Sequence, residues 1–171
     1  MASLMEDLLD VLGKECDRYE ALVEASAEKT PFIVKGDIEK IQEYTDIEQR
    51  YLDQIANLEK KRIEVIGDMA NVLNRTVEEM TITNLITMIG KQPEEQAQLK
   101  ELRDRLRDVT KKMRDVNERN KLLVEQSIQL VEFDMNLIRG LRQAPETNNY
   151  NKNAANIGEI YTGSTSFDAK Q

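Results

Sequence analysis

Histidine and tryptophan are absent from this chain, cysteine occurs once and proline three times. Each scarcity excludes something. Without imidazole there is no Ser-His or Cys-His dyad, no ordinary zinc site and no side chain that titrates near neutrality unperturbed. The one cysteine, Cys16, forbids an intramolecular disulfide and fits a reducing, cytoplasmic location. Three prolines and seven glycines are too few for the frequent turns of an all-β chain. Aromatic residues make up 5% of the sequence, which argues against a stacking site for sugars or bases. The longest uncharged run, Met80 to Gly90, is half of the roughly 20 residues a spanning helix needs, so no membrane span is expected. Acid stands near the N-terminus, at Glu6 and Asp7, where a signal peptide carries base, so export by the usual route is not expected. With 24 basic and 32 acidic residues the net charge is −8, which disfavours a nucleic acid partner.

Catalytic and metal sites find no support either. Gly13-Lys14 and Gly90-Lys91 lack the rest of a phosphate loop, and the pairs Glu78-Glu79 and Glu94-Glu95 point to different faces of a helix. The sequence predicts no catalytic residue, no metal and no cofactor. Asn74-Arg75-Thr76 reads as an accidental glycosylation signal.

What is present is helical periodicity. Ser3 followed by Glu6 reads as a capping box, and Met5, Leu8, Leu12, Cys16, Tyr19, Leu22 or Val23 and Ser26 then recur at spacings of three and four. Cys16 in that stripe reads as a small buried hydrophobe. Pro31 predicts a kink or a restart lasting one more turn, and Gly36 a stop. Asp37 is a natural N-cap for a second helix, striped by Ile41, Tyr44, Glu48, Tyr51 or Leu52, Ile55, Leu58, Arg62, Val65 or Ile66, Met69 and Val72 or Leu73, with Gly67 as a weak point. Thr81 or Thr83 suits the cap of a short helix closed by Gly90. Pro93 with Glu94 and Glu95 opens the strongest signal, a leucine-rich 3-4-3-4 series from Leu99 to Leu141.

Composition changes after Arg142. Ala144-Pro145 stops the helix, and five asparagines follow among Gly, Ser and Thr. The expected organisation is a helical domain over 1–142 and a polar tail over 143–171, disordered when alone, with Tyr150, Tyr161 and Phe167 as anchors for a partner. Residues 1–90 hold 10 basic and 19 acidic side chains (net −9) and residues 91–142 hold 12 and 10 (net +2), so the last long helix is attracted to the first two. Its basic run from Arg103 to Arg114 is interleaved with Asp104 and Asp108, which predicts a salt-bridged face.

The last helix also carries an anomaly. Its first seam turns polar at Asn120, Ser127 and Asp134, while a second seam one residue on, Val124, Ile128, Val131, Met135 and Ile138, is apolar. One residue is a rotation of about 100°, so the apolar face widens beyond what one neighbour covers. Either this segment packs between two bundle helices, or Leu123, Val124, Ile128, Val131, Met135, Ile138 and Leu141 form a surface for a partner's amphipathic helix. A structural coiled coil, whose wide face is an interface between copies, is the alternative of another class.

Three segments resemble a known family. Phe32-Ile33-Val34-Lys35-Gly36-Asp37-Ile38-Glu39-Lys40-Ile41, then Leu58-Glu59-Lys60-Lys61-Arg62, then Val116-Asn117-Glu118-Arg119-Asn120-Lys121-Leu122-Leu123 with Ser127-Ile128 are similar to the apolar-Gly-Asp junction, the Leu-Glu and Arg positions and the Asn-x-x-Asn segment of FlgN-type flagellar export chaperones. The resemblance covers residues 4 to 141 and implies a cytoplasmic, ATP-independent chaperone of hook-filament junction proteins. Its clients would present C-terminal amphipathic helices to the C-terminal part of the chaperone, and the flagellar export gate would be a further partner. The expected fold is all-α, an antiparallel bundle of three long helices plus one short helix.

Overall fold

The computed structural model describes residues 2–90 and 92–143, which form helices α1 (Ala2–Lys35), α2 (Ile38–Leu73), α3 (Ile82–Met88) and α4 (Pro93–Gln143). A single 3₁₀ turn, Val77–Glu79, precedes α3, and no strand occurs among the described residues. Three long helices and one short one are the elements that the periodicity predicts. The predicted tail, residues 143–171, lies outside the described residues from Ala144 onward.

The stripe on α1 is buried at Met5, Leu8, Leu12, Cys16, Leu22 and Ser26. Pro31 does not break the helix, which runs four residues past it to Lys35. The proline is exposed, and the helix continues past it at the cost of the one backbone bond that its missing N–H would have made. Ser3 lies inside the first turn of a helix already formed at Ala2, so the Ser3–Glu6 pair is not the cap that the pattern predicts.

The connection from α1 to α2 takes two residues. Gly36 adopts φ 68°, which a residue with a Cβ resists, and donates its N–H to Ile33 O at 3.1 Å while Asp37 donates to Phe32 O at 3.0 Å. These two bonds satisfy the last carbonyls of α1. Asp37 then serves α2, its carboxylate accepting the Lys40 N–H at 3.1 Å. The hairpin is antiparallel, because partners on α2 fall in number as those on α1 rise: Arg62 Nε donates to Glu15 at 3.0 Å, Tyr19 OH to Glu59 at 3.4 Å, and Ser26 Oγ to Glu48 at 2.6 Å.

Asn74 closes α2 in the left-handed conformation (φ 51°, ψ 49°), with Arg75 N–H reaching back to Ala70 O at 2.9 Å. Thr81 caps α3 by accepting from Asn84 N–H at 3.2 Å. Gln96 Nε2 donates to Ile86 O at 2.7 Å and ties the start of α4 to α3. From there α4 runs parallel to α1: Cys16 Sγ lies 3.7 Å from Leu102 O, Arg105 bridges Asp17 and Glu20, and Asn120 reaches Ser26.

The core sits at the end of the bundle where all elements meet. Met5, Leu8 and Leu12 of α1, Val65 and Met69 of α2, Met80, Leu85 of α3 and Leu99 of α4 form one buried cluster. Each large side chain contributes about 1.5–3 kcal/mol through removal from water. Arg105 supplies the attraction expected between α4 and α1, bonding Asp17 Oδ1 at 2.8 Å and Glu20 at 2.6 Å, and its hydrogen bond holds the Glu20 carboxyl below the ordinary glutamate range. The salt-bridged face is narrower than predicted. Among the described residues Arg103 and Arg105 are the members of the run from Arg103 to Arg114 that form ion pairs, because the other cations of the run have no carboxylate within 4.0 Å.

Candidate docking surface

The surface begins where α4 loses its last tie to α1. Asn120 is buried, donates through Nδ2 to Ser26 O at 2.8 Å and accepts from Thr30 Oγ1 at 2.6 Å. Both its amide groups are thereby satisfied, so a polar residue on the apolar seam fixes the register of α4 against α1. Beyond it Leu123 and Ser127 are half-buried, the serine hydroxyl bonding back to Leu123 O at 2.9 Å.

From Ile128 to Arg142 every residue is exposed. The cause is length. α1 stops at Lys35, which lies only a turn or so past the level of Asn120, whereas α4 continues to Gln143. Ile128, Val131 and Glu132 still face the α1–α2 tip, and at a rise of 1.5 Å per residue the ten residues from Phe133 to Arg142 project about 15 Å past it. The reading in which this segment packs between two bundle helices is therefore overturned from Ile128 onward, since its apolar residues stay exposed there.

The predicted client residues fall on this projection and at its root. Leu123 is half-buried, while Val124, Ile128, Val131, Met135, Ile138 and Leu141 range from 38% to 70% exposed. At 100° per residue Val124, Ile128, Val131, Met135 and Ile138 share an arc of about 80°. Leu130, Phe133, Leu137 and Leu141 occupy a second arc of about 80°, with Ser127 and Asp134 between the two, so apolar groups take up nearly half of the helix circumference. Glu125, Glu132 and Arg139 keep the remaining side polar. A solvent-facing helix of this kind carries far more exposed apolar surface than single scattered leucines would give.

The root of the projection faces the α1–α2 tip. Ile33, Ile38 and Ile41 from the tip and Val124, Ile128 and Val131 from α4 line an open groove of about 470 Å³, with Gly36, Ser127 and Glu132 completing it. Sequence reasoning missed this second wall. Ile38 is 73% exposed at the first position of α2, and the apolar pair it makes with Ile41 three residues on was the available signal. Phe133, 64% exposed, was missed because it lies off both seams. Of the tail anchors, Tyr150, Tyr161 and Phe167 lie outside the described residues.

What the arrangement offers is an apolar contact surface. No group of three or more metal-ligating side chains gathers among the described residues, and none of their helices is long and apolar enough to cross a membrane. Cys16 is fully buried, and that burial pushes its thiol up, away from the reactive thiolate. Glu15 is buried against Arg62 on the α1–α2 interface, and its desolvation raises the carboxyl above the ordinary glutamate value despite the guanidinium.

No curated protein and no solved structure matches the chain. A family model does, that of the FlgN protein, over residues 1–156. That span takes in all four helices, the two-residue α1–α2 junction, the Asn120 clamp and the whole projecting end of α4, so the chain belongs to the FlgN family of flagellar export chaperones.

Proposed function

We propose that this chain is a cytoplasmic, ATP-independent chaperone that covers the C-terminal amphipathic helices of hook-filament junction proteins before their export. The observation that carries the reading is the exposed apolar length of α4 from Val124 to Leu141. A client helix laid along it would shield both its own apolar face and that of α4, then pass to the export gate as its contacts with the chaperone are exchanged. Catalysis is not needed for such a task.

Magnitudes fit reversible capture. Val124, Ile128, Val131, Met135 and Ile138 would each contribute about 1.5–3 kcal/mol if fully covered, a gross sum of about 7–15 kcal/mol. Association costs on the order of 4–15 kcal/mol, so the surplus corresponds to roughly micromolar to nanomolar binding. Ile128→Asp and Val131→Asp test the reading. Each should abolish co-purification of a hook-filament junction protein while leaving the melting temperature nearly unchanged, since the new carboxylate stays in water until a client buries it. Retained capture overturns the reading. The same exposed face favours one rival, an interface between copies in a structural coiled coil, for which self-association at micromolar concentration without a client is the mark.

A further inference from the structure

Outside the described residues 28 residues follow Gln143, and they contain one short segment whose pattern matches the groove at the α1–α2 tip. Ile157, Ile160 and Tyr161 stand at helical spacings of three and four, so a helical turn would bring them to one side with Glu159 on the other. The segment has a start and a stop: Asn156 is a good N-cap with Glu159 three residues on, and Gly163 follows as a terminator. Five to seven residues are too few to hold a helix in water without a surface. The groove, conversely, is an apolar surface of matching size, with Ile38, Ile128 and Val131 more than half exposed.

Distance favours the same pairing. Ile128 and Val131 lie 15 and 12 residues before Gln143, so the groove is about 18–22 Å back along α4 from the point where the tail leaves it. The connecting segment, residues 144–156, has 13 residues and a root-mean-square coil length of about 20 Å, with a fully extended reach of about 43 Å. A tether whose coil length equals the span gives the highest effective concentration, of millimolar order, so even weak contact would be populated.

We infer that residues Asn156 to Gly163 of the chain's own tail form a helical turn that seats Ile157, Ile160 and Tyr161 in the groove between the α1–α2 tip and α4. This narrows the expectation of a tail without order of its own, since one turn is held, weakly. If the proposed client surface is correct, the seated turn is a resident competitor that a client must displace from Ile128 and Val131; that consequence rests on the proposed function, whereas the seating does not.

The test uses the full chain without a client. A nitroxide is attached at Ser164→Cys, with Cys16 left in place because it is fully buried, and isoleucine and valine methyl signals are read. Ile38, Ile128 and Val131 should lose most of their intensity, while Ile63 and Val72, equally exposed on α2 toward the core end, keep theirs. Adding Ile157→Ser and Tyr161→Ser should restore the three lost signals. Broadening that is absent, or that survives those two substitutions as it would for an unattached coil sweeping past, overturns the inference. So does broadening seen when labelled and unlabelled molecules are mixed in a sample where only the other copy carries the nitroxide, which would make the occupant a second copy. Since no client is present, failure here leaves the proposed function standing, and failure of client capture leaves the seating untouched.

Discussion

The two halves of α4 carry the same leucine spacing and meet opposite fates. Before Asn120 the series Leu99, Leu102, Leu106, Val109 and Met113 is buried or half-buried against α1, whereas Leu130, Leu137 and Leu141 continue the period in full exposure. Periodicity therefore specifies which face of a helix is apolar and says nothing about whether a neighbour is present to cover it. The difference between core and docking surface is set by where α1 ends, at a glycine and an aspartate far away in sequence.

The sharpest way to break that comparison is to shorten equivalent leucines. Leu99→Ala, in the fully buried cluster, should cost about 2–5 kcal/mol by leaving a cavity, while Leu137→Ala should stay within about 0.5 kcal/mol in the same urea titration. Equal losses would mean that the far half of α4 is covered after all. A smaller effect is expected at the boundary between the regions. Asp37→Ala removes the carboxylate that caps α2 and should cost about 0.5–2 kcal/mol in a thermal melt, with capture by the far half of α4 unchanged. An unchanged melt would show that the two backbone bonds of the Gly36 turn suffice to hold the tip.

The smallest effect is a slope, not a loss. Glu15, raised by burial above its ordinary value of 4.5, holds its proton more tightly in the folded chain than in the unfolded one. Between those two values the folded state carries more protons, so stability falls as the pH rises through the window and is flat above it. Compared with Glu15→Gln, which does not titrate there, the parent should lose stability from about pH 4.5 upward as followed by denaturant midpoints. A difference curve of the opposite sign would mean that Arg62 outweighs desolvation.

Much of this was legible from sequence because the signals were local. Gly36-Asp37, Thr81 and Pro93 mark helix ends through chemistry confined to one turn, and each marks an end or cap in the structure, whereas the end of α2 at Asn74 was not foreseen. Ser3 misled for a related reason: a capping pattern is the same string of letters whether the helix starts there or earlier. The short turn at Val77–Glu79 left no periodic trace, being only three residues long. Register between helices was illegible. Which cation of α4 meets α1 depends on a half-turn of relative rotation, and so Arg105 could not be told from Arg107 or Arg114. The same ignorance hid the tip wall of the groove, since Ile38 and Ile41 lie more than 80 residues from the valines and isoleucine they face.

Asn120 also has a mechanical meaning. A helix of 51 residues fastened along its first part, with its last side-chain bond to α1 at Asn120 and only an open groove beside it further on, is a lever with its fulcrum at that bond. The 23 residues from Asn120 to Gln143 make an arm of about 35 Å, so a tilt of one degree at the fulcrum swings the tip by about 0.6 Å. Two hydrogen bonds, to Ser26 O and from Thr30 Oγ1, thus set the stiffness of the joint, and loosening them would widen the sweep of the arm without altering any residue on it.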